Sequence, residues 1–424
     1  MKAVSLRCAG SILLSTAAAL CASPAALAAG PSDAPWPRHT IDDSSRGADG
    51  VRLMDVNKDG LPDIATGWEE GGITRVYLHP GAAKVKSPWP RVTVGETPSV
   101  EDAVFADLDD DGAVDVVSSC EGEAKTVFVH WGPKGSGDYL DARKWTTRPV
   151  PVTQGRCGWM FSLPMRFGAR GRGLVVGSKG AGGLVGWLEI PAEARDLSKW
   201  TLHEWYGAGW IMSLAPADVD GDGDTDVVVS DRKGPGRGVL WLENPGPAEA
   251  KSVWKKHPIG AANREVMFLD LADLNGDGQE EIIVAVRQDE IHYFRRPVDP
   301  TGPWPCEVIR VVYPRGLGTA KAVAAGDIDG DGKLDLVYSC EHAHPPKRGV
   351  VWLRNPGSKS LGPWSVHDVS GPEGIKFDRI ELLDLDGDGD LDILTCEERH
   401  ENRGLGVIWY ENPLVSLKSH PGAR

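Results

Sequence analysis

Six stretches of this chain set oxygen-bearing side chains at alternate positions of a tight glycine turn. The first two sets are Asp55, Asn57, Asp59 and Asp63, then Asp107, Asp109, Asp111 and Asp115. The middle two are Asp218, Asp220, Asp222 and Asp226, then Asp273, Asn275, Asp277 and Glu281. The last two are Asp327, Asp329, Asp331 and Asp335, then Asp384, Asp386, Asp388 and Asp392. In each, glycine holds position six and an acid holds position nine. A hard cation such as Ca²⁺ takes about six to eight oxygens at about 2.3–2.6 Å. Side chains at positions one, three and five aim three oxygens into one turn, and a backbone carbonyl near position seven adds another. The glycine permits the turn that brings them together. The acid at position nine is expected to close the site. The pattern predicts up to six Ca²⁺ ions with a structural role.

An EF-hand starts the same way but needs glutamate at position twelve and flanking helices. Position twelve here is Thr66, Ser118, Val229, Val284, Tyr338 or Thr395, and β-branched runs flank the loops. The EF-hand is therefore excluded. An ordinary acidic β-turn would account for one such loop but not for six in phase.

The loops must be carried by a repeat. They begin at residues 55, 107, 218, 273, 327 and 384, so the gaps are 52, 111, 55, 54 and 57 residues. The long gap spans two periods, and the missing loop falls near residue 165, where the acids are gone but the strand Leu174-Val-Val-Gly survives. Each repeat reads as an apolar strand, the loop, a β-branched run, an aromatic strand such as Gly238-Val-Leu-Trp-Leu-Glu-Asn-Pro, and a fourth strand introduced by tryptophan. Short strands between Gly- and Pro-rich turns, four to a repeat of this length, predict an all-β, seven-bladed β-propeller. Residues 36–41, Trp-Pro-Arg-His-Thr-Ile, read as a spare fourth strand, and the last repeat stops after its third. Pairing the two would close the ring and remove its exposed edges. One domain over residues 36–413 and a tail over 414–424 are expected.

The D-x-[DN]-x-D-G-x-x-[DE] loop between the first two strands of every blade resembles the FG-GAP/VCBS repeats of integrin α-subunit propellers and of many secreted bacterial proteins. The resemblance covers about residues 36 to 413, apart from the acid-free repeat, to which no metal is carried over. It implies the propeller, calcium, and metal loops gathered on one face. It does not specify a function.

A ligand is then expected on the opposite face, around the central channel. The turns there mix both charge signs with aromatic rings, a mixture suited to sugars. Arg46, Asp49, Trp68, Glu101, Asp102, Arg156, Trp159, Trp210, Glu265 and Glu341 are the candidate contacts. Trp159 and Trp210 are the favoured platforms, whereas the tryptophans of the aromatic strands are read as blade packing. Three functions are compatible. The first is a binding module for a glycan or an extracellular protein. The second is a carbohydrate-active lyase or sugar dehydratase, with a base among Lys321, Lys376, His342, His344 and His400 and an anion holder among Arg156, Arg264 and Arg379. The third is an adhesion protein. Glu341, His342 and His344 could also hold a transition metal, or simply form a surface loop.

Lys2 and Arg7, the apolar run 11–20 and Ala26-Leu27-Ala28 read as an export signal over residues 1–28, which predicts a secreted or periplasmic protein. The run is too short for a membrane span, which needs about 20 residues. Losing Lys2 and Arg7 moves the formal charge from −15 to −17, which argues against nucleic acid as a partner. Cys120, Cys157, Cys306, Cys340 and Cys396 then remain, without a C-x-x-C pair, and Cys120 with Cys157 is one possible disulfide.

Overall fold

The computed structural model describes residues 34–167, 171–357, 363–398 and 404–414. The predicted leader, Arg399, His400 and nearly all of the predicted tail lie outside them. Twenty-eight strands form seven four-stranded antiparallel sheets, each built from consecutive strands except the last. Blades one to six span residues 48–96, 100–149, 158–207, 211–260, 266–310 and 319–368. Blade seven takes Lys376–Leu383, Asp392–Glu398 and Gly406–Tyr410, and the amino-terminal strand Arg38–Asp42 completes it. The first strand of each blade packs on the first strands of both neighbours, and blade seven returns to blade one. The ring is therefore closed as expected.

The second strands are β-branched and mostly buried, as in Asp226–Asp231, which is buried throughout. The fourth strands alternate, as in Arg91–Glu96, because they face solvent on one side. Fully buried tryptophans, among them Trp89, Trp187, Trp241, Trp352 and Trp409, fill the wedges between sheets. Each removes roughly 4–6 kcal/mol worth of apolar surface from water, before conformational entropy is counted. A histidine on the fourth strand stacks on the third-strand tryptophan in blades four and six, Trp241 on His257 at 4.3 Å and Trp352 on His367 at 4.6 Å. In blade seven the amino-terminal strand supplies the same partner, His39 against Trp409 at 4.5 Å.

One irregularity recurs in every blade. The first strand carries a β-bulge close to its amino-terminal end, with register shifts at Asp49/Arg52, Val100/Asp102, Trp159/Phe161, Ile211/Ser213, Val266/Leu269, Ala320/Ala322 and Phe377/Ile380. A bulge leaves a residue out of the ladder and re-aims its side chain. All five cysteines are free thiols, so the Cys120–Cys157 bridge does not form. No helix among the described residues is long and apolar enough to cross a membrane.

Candidate functional site

The six acid loops join strands one and two of blades one, two, four, five, six and seven. Their position-six glycines have φ between 84° and 97°, the left-handed conformation the turn requires. Position-one carboxylates draw in the loop's own amides, as when Gly60 N–H donates to Asp55 Oδ2 at 2.8 Å. In blade two the Oδ1 atoms of Asp107 and Asp109 are buried without a hydrogen-bond partner. Carboxylate oxygens of Asp107, Asp109 and Asp115 lie within 4.8 Å of one another, and so do those of Asp218, Asp220 and Asp226. Orphaned oxygens converging in one turn are of the type that fits a hard cation.

Position nine differs from the expectation in one respect. Its carboxylate is buried and accepts from backbone amides, on both oxygens in blades one, two, four and seven, whereas Asp335 Oδ2 is left without a partner. Asp392 accepts from Leu385 N–H at 3.0 Å and from Asn412 N–H at 2.9 Å, and Asp226 accepts from Val219 and Asn244 in the same way. This acid staples the loop to the end of the third strand and can offer a metal only a remaining lone pair.

At the other end of the channel lies a cavity of about 330 Å³. The bulges build its inner ring. Glu101, Met160, Met212, Phe268, Lys321 and Asp378 all sit at bulges and all line it. In blade one the bulge begins at Gly50, and Asp49 beside it takes the equivalent place. Phe161 and Phe268 meet edge to face at 5.6 Å and form part of the floor. A second cavity of about 180 Å³ shares Phe268 and holds Asp270, Arg379 and Glu381. The outer ring of the mouth comes from the ends of the second strands and the turns after them: Glu69, Glu121, Lys179, Arg232, Arg287 and Glu398.

Electrostatics in the mouth are strongly coupled. Lys321 Nζ lies 3.4 Å from Glu398, 3.7 Å from Asp378 and 3.9 Å from Glu341. Burial alone would lower the Lys321 ammonium, but the charges of Asp378, Asp49 and Glu341 more than offset it, and the group is raised. Burial, then the neighbouring charge of Asp378, pushes Asp49 well above the usual carboxylate range. On Asp378 burial acts upward too, yet Lys321 and its other partners hold the acid below its ordinary value. Burial carries Glu101 to about 8, with Lys179 opposing and Glu121 adding to the rise. The neighbouring Asp49 and Asp378 carboxyls are thus pushed in opposite directions.

Of the expected contacts, Asp49, Glu101, Trp210, Lys321, Glu341, His342 and Lys376 meet in this cavity. The others are placed elsewhere. Trp159 is wholly buried in the blade core and its Nε1 donates to Thr153 O at 3.0 Å, so it is no platform. Trp68 is buried likewise and donates to Tyr77 Oη at 2.9 Å. The bulge at Trp159/Phe161 turns the Trp159 ring inward, whereas Trp68 ends the second strand of blade one and faces its core. Asp102 is locked in a two-pronged ion pair with Arg52 at 2.8 and 2.9 Å, joining blades one and two. Glu265 lies behind the rim and holds Arg287 at 3.0 Å and Arg232 at 3.5 Å. Arg46 is exposed beside Glu70, and Arg156 is exposed beside Glu204. None of the three expected anion holders lines the mouth: Arg264 lies 3.6 Å from Glu290, and Arg379 pairs with Glu381 at 2.9 Å in the second cavity. Lys321, held protonated, cannot serve as a base near neutral pH. His344 lies outside the cavity, so the Glu341, His342 and His344 triad is not assembled there. Met160, Phe161, Met212 and Phe268 were unforeseen contacts, because their apolar strands read simply as core.

A ring of seven four-stranded blades, six of them with an acid loop between strands one and two, defines a β-propeller built from acid-loop repeats. The sequence profile of the FG-GAP-like repeat matches residues 55–118, 218–284, 273–338 and 327–395, more than half of the chain, and the chain belongs to that family. The long unmatched interval, 119–217, contains the acid-free blade. No curated protein matches the chain. Among solved structures it is similar to YCF48 from Cyanidioschyzon merolae, at 10% identity and a TM-score of 0.54, covering 90% of this chain and 99% of that one. It is also similar to BBS1N, solved in complex with ARL6DN, at 12% identity and a TM-score of 0.51, covering 89% and 96%. At these identities the likeness is one of fold.

Proposed function

We propose that this propeller is an exported binding protein that takes a compact polar ligand, a carbohydrate foremost, in the mouth of its channel, with calcium in its acid loops stiffening the ring. The observation that carries this reading is the cavity of about 330 Å³. Its size is at the lower end of ligand pockets, about 300–1,000 Å³. Its apolar floor and ring of charged groups suit the C–H face and the polar edge of a sugar. Calorimetric titration against a panel of sugars and uronates in millimolar calcium tests it. Binding that Trp210→Ala and Arg232→Gln each weaken by about tenfold or more is expected. Binding that both variants leave unchanged would place the ligand elsewhere. Export predicts a mature chain starting at or near Ala29, which amino-terminal sequencing reads directly.

A second reading is favoured by the Asp49–Asp378 pair. Two adjacent carboxyls pushed apart in proton affinity are the arrangement used by acid–base catalysts. An eliminating enzyme would place ionised Asp378 as base and protonated Asp49 as acid. Absorbance from unsaturated products of uronates or keto-sugars, abolished by Asp49→Asn, would replace the binding reading with this one.

A further inference from the structure

Charge is sorted by blade around the mouth. The outer positions of blades three, four and five carry Lys179, Arg232 and Arg287. Those of blades six, seven, one and two carry Glu341, Glu398, Glu69 and Glu121. The bulge positions divide in the same way. Met160, Met212 and Phe268 accompany the cations, whereas Lys321, Asp378, Asp49 and Glu101 accompany the acids.

At the two seams the arcs neutralise each other. Lys179 pairs with Glu101 at 3.2 Å and with Glu121, and Arg287 pairs with Glu341. The middles are paired more loosely, Arg232 with Glu265 at 3.5 Å and Glu398 with Lys321 at 3.4 Å and with Lys376. Arg232, central in the basic arc, stacks on Trp210 at 4.5 Å. Its Nε and the Trp210 Nε1 are both buried without a hydrogen-bond partner among the described residues, although its Nη2 reaches Glu265 at 3.5 Å. Burial, then the nearby Arg287 charge, lowers the proton affinity of this guanidinium, so an anion beside it would be favourable. Across the ring Asp378 is 1% exposed, and apart from the neighbouring Asp49 carboxyl its oxygens have no hydrogen-bond donor among the described residues. Its cation is Lys321, at 3.7 Å. Seven acids and five cations line the mouth, with Lys179, Arg232 and Arg287 on one arc and Lys321 and Lys376 set among the acids of the other, so the mouth is polarised.

Unpaired buried donors on one wall and acceptors on the other are costly unless something pairs with them. Building on the ligand site argued above, we propose that the mouth takes a zwitterion. Its oxyanion meets Arg232 and Trp210 Nε1, its apolar face lies on Met160, Met212 and Phe268, and its cationic nitrogen meets Asp378 and Glu398. A ligand with one charge would leave the opposite pole unmatched and bring uncompensated charge into a buried site.

The test is calorimetric titration of the full mature chain, in millimolar calcium, with a matched series. Glucosaminuronate carries both charges, glucosamine and glucuronate carry one each, and glucose carries none; 6-aminohexanoate carries both without a sugar frame. Glucosaminuronate should bind about tenfold or more tightly than each of the other sugars. Arg232→Gln should erase its advantage over glucosamine, and Asp378→Asn its advantage over glucuronate. Glu398→Gln replaces Asp378→Asn if circular dichroism shows the latter misfolded. A neutral or singly charged sugar binding as tightly as glucosaminuronate overturns the zwitterion and leaves the sugar site standing. Binding of 6-aminohexanoate but of no sugar keeps the zwitterion and overturns the carbohydrate reading. Binding of none overturns both.

Discussion

Lys321 is the residue on which the mouth turns, since one ammonium serves three carboxylates from blades six and seven. Replacing it with methionine keeps the volume and strips the buried Asp378 of its cation, while Glu341 keeps Arg287 and Glu398 keeps Lys376. Breaking a buried ion pair from one side costs about 3–5 kcal/mol, and a loss of that order is expected for Lys321→Met in urea unfolding. A loss below about 1 kcal/mol would mean that the cluster is solvated rather than buried. Glu101 yields a pH prediction. Burial, opposed by Lys179 and reinforced by Glu121, carries its folded pKa to about 8, while the unfolded value stays near 4.5. The folded state therefore keeps a proton that the unfolded chain releases. The contribution is present in full below about pH 4.5 and is lost as pH rises through about 8. Glu101→Gln imitates the protonated acid, so the fall in melting temperature between pH 5 and pH 8 should be shallower in the variant than in the parent. An unchanged slope would assign the pH dependence to other groups.

At the scale of the element, each acid loop contains two kinds of carboxylate. Asp109 has an orphaned oxygen, although Arg195 approaches its other oxygen at 2.5 Å. Asp392 instead receives two backbone amides from separate segments. Asp392→Ala would strip the partners from two buried N–H groups, at about 1–3 kcal/mol each, with calcium or with chelator. Asp109→Asn should reduce stability in calcium and change little in chelator. Denaturant titrations of both variants in the two buffers separate the roles, and equal behaviour would refute the division. The bulges belong to this scale too. Inserting one residue reverses which side chains face the channel, and here it does so in all seven blades.

At the scale of the molecule, stability depends on closure and on the loops acting together. Deleting residues 38–42 removes the partner of Gly406–Tyr410 and exposes a strand edge. The shortened chain is expected to lose its single cooperative transition and to aggregate, as read by light scattering during heating. Retention of a monomeric, cooperative fold would show that three strands suffice in blade seven. Calcium removal is the companion experiment. A site at a hundred times its Kd contributes about 2.7 kcal/mol to the folded state. Several filled loops should therefore shift the melting point clearly on adding excess chelator, and an unshifted melt would remove calcium's structural role.

Repeat number, blade grammar, loop positions and ring closure could all be read from the chain. They depend on local spacing, on glycine in a left-handed turn, and on a terminal strand, His39 included, that imitates its counterparts in other blades. The composition of the mouth could not be read that way. A bulge shifts pleat parity by one residue without a sequence signature, so Trp159 turns into the core while Met160 and Phe268 reach the channel. Asp49 meets Asp378 only because the closed ring brings blade seven back to blade one, and Lys179 meets Glu101 because neighbouring blades pack side by side. The division of the mouth into a basic and an acidic arc exists only around that closed circle, which is why tertiary structure alone decided it.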